Sequence, residues 1–283
     1  MTDFDSDIAV LLPTRARTTM VERSVSSLFE LAEQPNRVEI VFGYDNDDAV
    51  GFDHFNSTVR PWMDKNSVTY SAMQFEPMGY IRLNEYVNAM AKTTRAKWYI
   101  IWNDDAVMRT VGWDTEIMAH DGRFNLLAFH THNQHPYSIF PIIPYKWFEV
   151  LGYLCPHQIG DAWTSQQAYM LNIFKRIDVV VKHDRYDLTG NNKDSTFANR
   201  PMKETNPFEI GDFNHVDMTN LRINDCIKLA NYMKSIGMDT QYFENILAGK
   251  QDPWEMLVRN DVNRQQVQWK IDHSNQRAER RSK

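Results

Sequence analysis

The sequence predicts an α/β fold built on a mostly parallel sheet with helices on its faces. Three observations carry that prediction. Short apolar runs alternate with helix-period segments through the first half of the chain, the signature of strand–helix–strand units. The runs are continuously apolar, as in Ile8-Ala9-Val10-Leu11-Leu12, which is how a strand covered on both faces reads. Three of them break directly into polar clusters, and the carboxyl ends of strands are where open α/β sheets gather ligands.

The first strand, Ile8–Leu12, ends at Pro13-Thr14-Arg15-Ala16-Arg17. Thr19-Met20-Val21-Glu22 has the spacing of a capping box, and Val21, Val25, Leu28 and Ala32 follow at helical intervals. Val38–Tyr44 is the second strand and runs into Asp45-Asn46-Asp47-Asp48. A short strand is expected near Ser67–Met73. Tyr80, Leu83, Val87 and Met90 mark a helix face after Gly79, and Trp98–Trp102 is a buried strand closing on Asn103-Asp104-Asp105. The second half is less regular. Strands are expected at Asn125–His130, Ser138–Ile143 and Ile177–Val181, with helices at Tyr145–Leu151 and Asp161–Phe174. Residues 184–216 are rich in Asn, Asp, Gly and Pro and read as a long loop, a length that is usually functional or disordered. Two helices close the chain: Asn220–Ile236, and one capped by Asp252 with Pro253 in its first turn and Glu255 completing the box. The expected organisation is a catalytic domain over 1–216, its halves meeting near 120, and a helical C-terminal extension over 217–283.

The 283 residues are 42% hydrophobic and 24% charged, a globular composition that excludes disordered, collagenous and coiled-coil chains. Cys155 and Cys226 are far apart and lack a CxxC spacing, which argues against a disulfide framework or a cysteine zinc site. The acidic N-terminus has no signal-peptide pattern, and no apolar stretch approaches the ~20 residues that span a bilayer. The expected location is the cytoplasm. Net charge is −6, but residues 259–283 carry seven basic and three acidic side chains, a net of +4. Such a tail on an acidic body suits either a solvated terminal helix or contact with a polyanion.

An arginine-bearing turn beside two acidic turns fits an anionic ligand and a hard cation, since crowded carboxylates repel and oxygen-seeking divalent ions relieve that repulsion. Asp and Asn are also ordinary loop and cap residues, and for Asp45–Asp48 the two readings stand level. Asp104 and Asp105, placed after five apolar residues, favour function. His130, His132 and His135 alternate with Thr, Asn and Gln, which suits hydrogen bonding in a ligand pocket better than a metal site. The aromatics from Tyr137 to Tyr153 are expected mainly in the core.

The order of these motifs resembles the nucleotide-sugar-dependent glycosyltransferases of the GT-A fold, family-two-like branch. The resemblance spans residues 8–200 and includes Val111-Gly112-Trp113-Asp114 after the acidic motif, Gly160-Asp161-Ala162-Trp163 at a helix start, and Val180-Val181-Lys182-His183 before Lys193-Asp194-Ser195-Thr196. It implies that Thr14, Arg15 and Arg17 line the nucleotide pocket and that Asp45 bonds the base. It places Arg82 at the diphosphate or donor sugar, and Asn103 and Asp104 at the ribose or sugar. Asp105 and His183 would bind Mn2+ or Mg2+, and Asp161 would be the general base. His132, Trp163, Lys193 and Asp194 would border the acceptor. Asn103 stands where the family has the first aspartate of its metal motif, so it brings an amide oxygen without charge.

These roles imply a metal-dependent inverting transferase using a nucleotide sugar, with UDP as the expected carrier. The basic tail ranks a hydroxymethylated or hydroxylated pyrimidine in DNA first as acceptor, in a DNA-modifying enzyme of viral type acting in the host cytoplasm. A surface polysaccharide or a small molecule is the alternative acceptor. A non-catalytic nucleotide-sugar-binding module and a metal phosphohydrolase are the rival functions. The sequence does not reveal the oligomeric state.

Overall fold

A computed structural model describes residues 4–131, 135–185, 213 and 216–251. His132, Lys193, Asp194, the helix expected after Asp252 and the basic tail lie outside the described residues.

One eight-stranded sheet organises the chain: β1 (Ser6–Thr14), β2 (Val38–Asp45), β3 (Thr69–Phe75), β4 (Ala96–Ile101), β5 (Ala106–Met108), β6 (Leu126–Thr131), β7 (Ile142–Pro144) and β8 (Phe174–His183), in the order β3-β2-β1-β4-β7-β6-β8-β5. β3, β2, β1 and β4 are parallel neighbours. β7 pairs antiparallel with β4 and β6, β8 is parallel to β6, and β5 is antiparallel to β8. The sheet is mixed but mostly parallel, as the continuous apolar runs predict. Ile8 to Leu12 are all wholly buried. Ile8, Val10 and Leu12 face one apolar core and Ala9 and Leu11 the other, so period-2 alternation sorts one uninterrupted run between two layers.

The helices are α1 (Thr18–Leu31), α2 (Ala49–His54) and α3 (Arg60–Lys65), joined by a π turn, then α4 (Leu83–Ala91), α5 (Trp113–Met118), α6 (Tyr145–Leu151), α7 (Gly160–Met170), α8 (Val216–Ser235) and α9 (Gln241–Leu247). α8 is part of the second core: Cys226, Leu229, Ala230 and Met233 pack with Trp147, Leu151 and Met170. Among the described residues no helix is long and apolar enough to cross a membrane.

Three expectations need correction, and two regular elements were not expected at all. The helix expected to Phe174 stops at Met170, because Asn172 turns left-handed at φ 55° and Ile173 N–H reaches back to the Ala168 carbonyl at 2.9 Å; Asn tolerates that conformation at helix ends, and Phe174 already begins β8. The Thr19–Glu22 box does not form. α1 starts at Thr18 with Arg17 at the N-cap position and no side-chain cap. The strand expected from Ser138 is confined to Ile142–Pro144. The segment 49–65 and the three-residue β5 are regular elements that the sequence pattern did not mark.

Candidate active site

Registered pairing places the site. β1 and β2 align Thr14 with Tyr44, and β1 and β4 align Leu11 with Ile101. The three polar turns therefore leave the same edge of the sheet side by side. Asn103 to Asp105 form a tight turn closed by Ala106 N–H to the Asn103 carbonyl at 3.1 Å. The chain then enters β5, where Ala106 pairs with His183, and Asp184 N–H donates to the Asp105 carbonyl at 2.8 Å. This register sets His183 Nε2 3.2 Å from Asp105 Oδ1.

The PTRAR turn distributes its side chains between the two acidic turns. Thr14 Oγ1 donates to Asp104 Oδ2 at 2.6 Å, and Arg17 Nη1 donates to Asp104 Oδ1 at 2.6 Å while lying 3.7 Å from Asp105. Arg15 instead donates to Asp45 Oδ2 at 2.6 Å and pairs with Asp47 through both guanidinium nitrogens. Between the arginines, Ala16 has φ 53°, a left-handed conformation costing an L-residue ~1–2 kcal/mol. Asp48 holds it there, accepting from Ala16 N–H at 2.8 Å and from Gly51 N–H at 3.0 Å. A side chain at Gly51 would start 2.1 Å from the Asp48 carboxylate, so glycine is required at that close approach. Tyr86 on α4 donates to Asp45 Oδ1 and itself receives Met78 N–H at 2.8 Å.

Burial and charge separate the two central aspartates. Burial raises the Asp104 carboxyl to about 6, against the pull of Arg17, and Asp105 adds to the rise. Burial acts the same way on Asp105, yet His183, Arg17 and Arg185 outweigh it and hold its carboxyl below the ordinary value. The one nearer His183 is thus the firm anion. Asp105 Oδ1 is buried and makes no aligned hydrogen bond, although His183 Nε2 faces it. A carboxylate oxygen and an imidazole nitrogen 3.2 Å apart are of the donor types and at the separation of neighbouring ligands on a divalent cation.

Asp161 lies in the first turn of α7, half-buried, with Oδ1 accepting Ala162 N–H at 2.8 Å. A Cβ on Gly160 would sit 3.9 Å from Ile101 Cδ1, at the end of β4, so the helix start stands beside the strand that delivers Asp104 and Asp105. His135 is lowered by burial while Asp161 opposes the shift, and Arg185 acts on both His135 and Asp105. His130 is buried on β6. Trp163 is wholly buried, parallel to His157 and edge-on to Phe213, with the Arg222 guanidinium 4.4 Å above its ring. It presents no face to solvent. Arg82 pairs with Glu85 on the exposed start of α4. Trp113 and Asp114 are buried too: Trp113 Nε1 donates to the Leu28 carbonyl at 2.8 Å, and Asp114 accepts Glu33 and Gln34 N–H at 2.8 and 2.9 Å. Val111–Asp114 therefore clamps the far end of α1.

Sequence reasoning missed Tyr86 and the separate duties of Asp47 and Asp48. Tyr86 carried a readable signal, lying three residues after Leu83 on the buried side of α4.

No protein-family model and no curated protein matches the sequence. Solved structures do. A mannosyltransferase from Pyrobaculum calidifontis, PcManGT, in complex with GDP-Man and Mn2+, superposes at TM-score 0.54 with 12% identity over 93% of this chain and 90% of its own. S. aureus TarS 1-349 in complex with UDP-GlcNAc superposes at 0.53 with 11% identity over 97% of this chain and 90% of that one. The fold is GT-A-like.

Proposed function

We propose that this protein is a divalent-cation-dependent glycosyltransferase that moves a sugar from a nucleoside diphosphate to a hydroxyl acceptor. One observation carries the reading: two arginines of a single turn and the Asp105–His183 pair converge at the carboxyl edge of a GT-A-like sheet. The solved neighbours hold GDP-Man with Mn2+ and UDP-GlcNAc, which supports a nucleotide-sugar donor.

Thr14, Arg15, Arg17 and Asp45 border the nucleotide, with Asp45 facing the base and fixed by Arg15 and Tyr86. Asn103 and Asp104 face the ribose or sugar. Asp105 and His183 would hold Mn2+ or Mg2+, which supplies Lewis-acid stabilisation of the departing diphosphate. With Asp105 and His183 as the protein's two ligands, diphosphate oxygens would be the natural further donors to such a hard cation. Asp161 takes the acceptor hydroxyl proton. The new bond forms at the anomeric carbon as its bond to the diphosphate oxygen breaks, and a single base opposite the leaving group gives inversion. Arg82, as an exposed side chain at the start of α4, is assigned to the donor phosphates or sugar. The expectation of DNA as acceptor rests on the basic tail, residues 259–283, which lies outside the described residues, so the acceptor is assigned as a hydroxyl.

Calorimetry with UDP and GDP, each with and without Mn2+, tests the reading. UDP is expected to bind in a Mn2+-dependent way and UDP-GlcNAc to be slowly hydrolysed. Preference for GDP moves the assignment to a guanosine donor. Absence of nucleotide binding in every condition overturns it.

A further inference from the structure

The side chain of Asn88 joins the two halves of the site. It lies half-buried on α4, whose start carries Arg82 and whose middle carries Tyr86. Its Oδ1 accepts Leu154 N–H at 2.9 Å and Cys155 N–H at 3.3 Å, and its Nδ2 donates to the Cys155 carbonyl at 2.6 Å. One amide thus satisfies three backbone groups of a loop that has no strand or helix to satisfy them, using three of the four hydrogen-bonding positions an amide has.

That loop is the floor under the start of α7. A Cβ at Gly160 would lie 2.8 Å from Cys155 Sγ and 3.6 Å from its Cβ, so the backbone preceding Asp161 rests directly on the sulfur. Cys155 is wholly desolvated, its thiol raised to about 12 by burial, with the nearby Asp161 charge adding to the rise. A thiol kept neutral there is a spacer, not a nucleophile. Contact therefore runs from Asn88 to the Cys155 backbone, from Cys155 Sγ to Gly160, and on to Asp161.

We propose that Asn88 is a positioning residue that fixes the height of Asp161 against the donor-side helix α4. The proposal rests on the assignment of Asp161 as base. Asn88 touches neither donor nor acceptor in this account. Its effect passes through the base, and a displacement of about 1 Å in a positioned group can cost a hundredfold in rate.

The test measures Mn2+-dependent hydrolysis of UDP-GlcNAc and GDP-mannose, in which water takes the place of the acceptor, by wild type, Asn88→Ala, Asp161→Asn and the double variant. Asn88→Ala is expected to lower kcat about tenfold or more while the donor KM stays within about twofold, and to add nothing further in the Asp161→Asn background. A role in stability alone would lower Tm without that split. Full kcat in Asn88→Ala alongside an impaired Asp161→Asn overturns the proposal and leaves the base assignment standing. Wild-type turnover in Asp161→Asn removes the base assignment and the proposal with it. If Asn88→Ala does not fold, Gly160→Ala decides, alone and combined with Cys155→Ala. The single substitution should slow hydrolysis and the sulfur deletion should restore it, whereas a folded double variant as slow as the single one overturns the proposed contact.

Discussion

The proposed donor edge and the side of the site that carries Asp161, the proposed base, are built in opposite ways. At the donor edge, consecutive parallel strands deliver Thr14, Asp45 and Asp104 side by side, and the polar residues bind one another directly across the strand ends. On the other side, Asp161 stands at a helix start whose placement depends on a loop, a cysteine and an amide from a distant helix. Register fixes the first region, while packing fixes the second. Substitutions at the donor edge should therefore weaken ligand binding, and substitutions on the other side should slow turnover without weakening it.

The largest expected effect tests that division at its sharpest. Asp161→Asn keeps the shape and the bond to Ala162 N–H but cannot accept a proton, so hydrolysis or transfer should fall by about a hundredfold or more with donor affinity within a few fold. A matching loss of affinity, read by calorimetry, would dissolve the contrast between the two regions. Next comes the metal pair. Asp105→Asn and His183→Ala should each weaken Mn2+-dependent UDP binding by about tenfold to a hundredfold. Nucleotide binding in Mn2+ equal to wild type would end their assignment as ligands.

A smaller effect separates two neighbours within the donor edge. Asp48→Ala removes a helix cap and the bond that holds Ala16 left-handed, and should cost about 2 kcal/mol in urea unfolding. Asp47→Ala removes only an exposed ion pair with Arg15 and should leave the urea midpoint almost where it is in wild type. Equal costs would mean that Ala16 is not under strain.

The smallest effect lies farthest from the donor edge. Asp225 on α8 is buried, accepts from Tyr153 Oη at 2.7 Å with both oxygens, and lies 3.6 Å from Lys228 Nζ. Burial raises its carboxyl above the ordinary value. A group whose folded pKa exceeds its unfolded one favours folding at low pH, and that contribution is lost as pH rises through the folded value. The melting-temperature difference between Asp225→Asn and wild type should thus move in favour of the variant from pH 4 to pH 7. A constant difference would show that the α8 contact carries no titrating burden.

The same division explains what was legible in the sequence. Strand ends are readable because a run such as Trp98–Trp102 breaking into Asn103-Asp104-Asp105 changes composition within one residue, and parallel order then brings such breaks together. The placement of His183 followed from the apolar run before it. β5 was not legible, because three residues carry no periodicity, and it is held by pairing with β8 and covering by α1. The helical segment 49–65 escaped notice because Asp48 reads as part of an acidic turn until its cap on Gly51 N–H is seen. Asn88 was invisible for a stricter reason: its partners are backbone atoms some 66 and 67 residues away, and backbone leaves no mark on sequence.

α1 ties together the turn that carries Asp104, the strand β5 and the end of β8. Arg17 at its start holds Asp104, and Arg23 pairs with Asp184 at 2.8 Å. Ser24 Oγ accepts Trp102 Nε1 at 2.8 Å, and Ser27 Oγ accepts Met108 N–H at 2.9 Å, closing the outer edge of β5. Opening this helix would remove, in a single event, the hydrogen bonds it makes to Trp102 after β4 and to Met108 in β5, and would free the Arg17 end that holds Asp104. The amides of α1 and of Met108 should share one opening free energy in native-state hydrogen exchange, and any ligand bridging these turns should raise them all by the same increment.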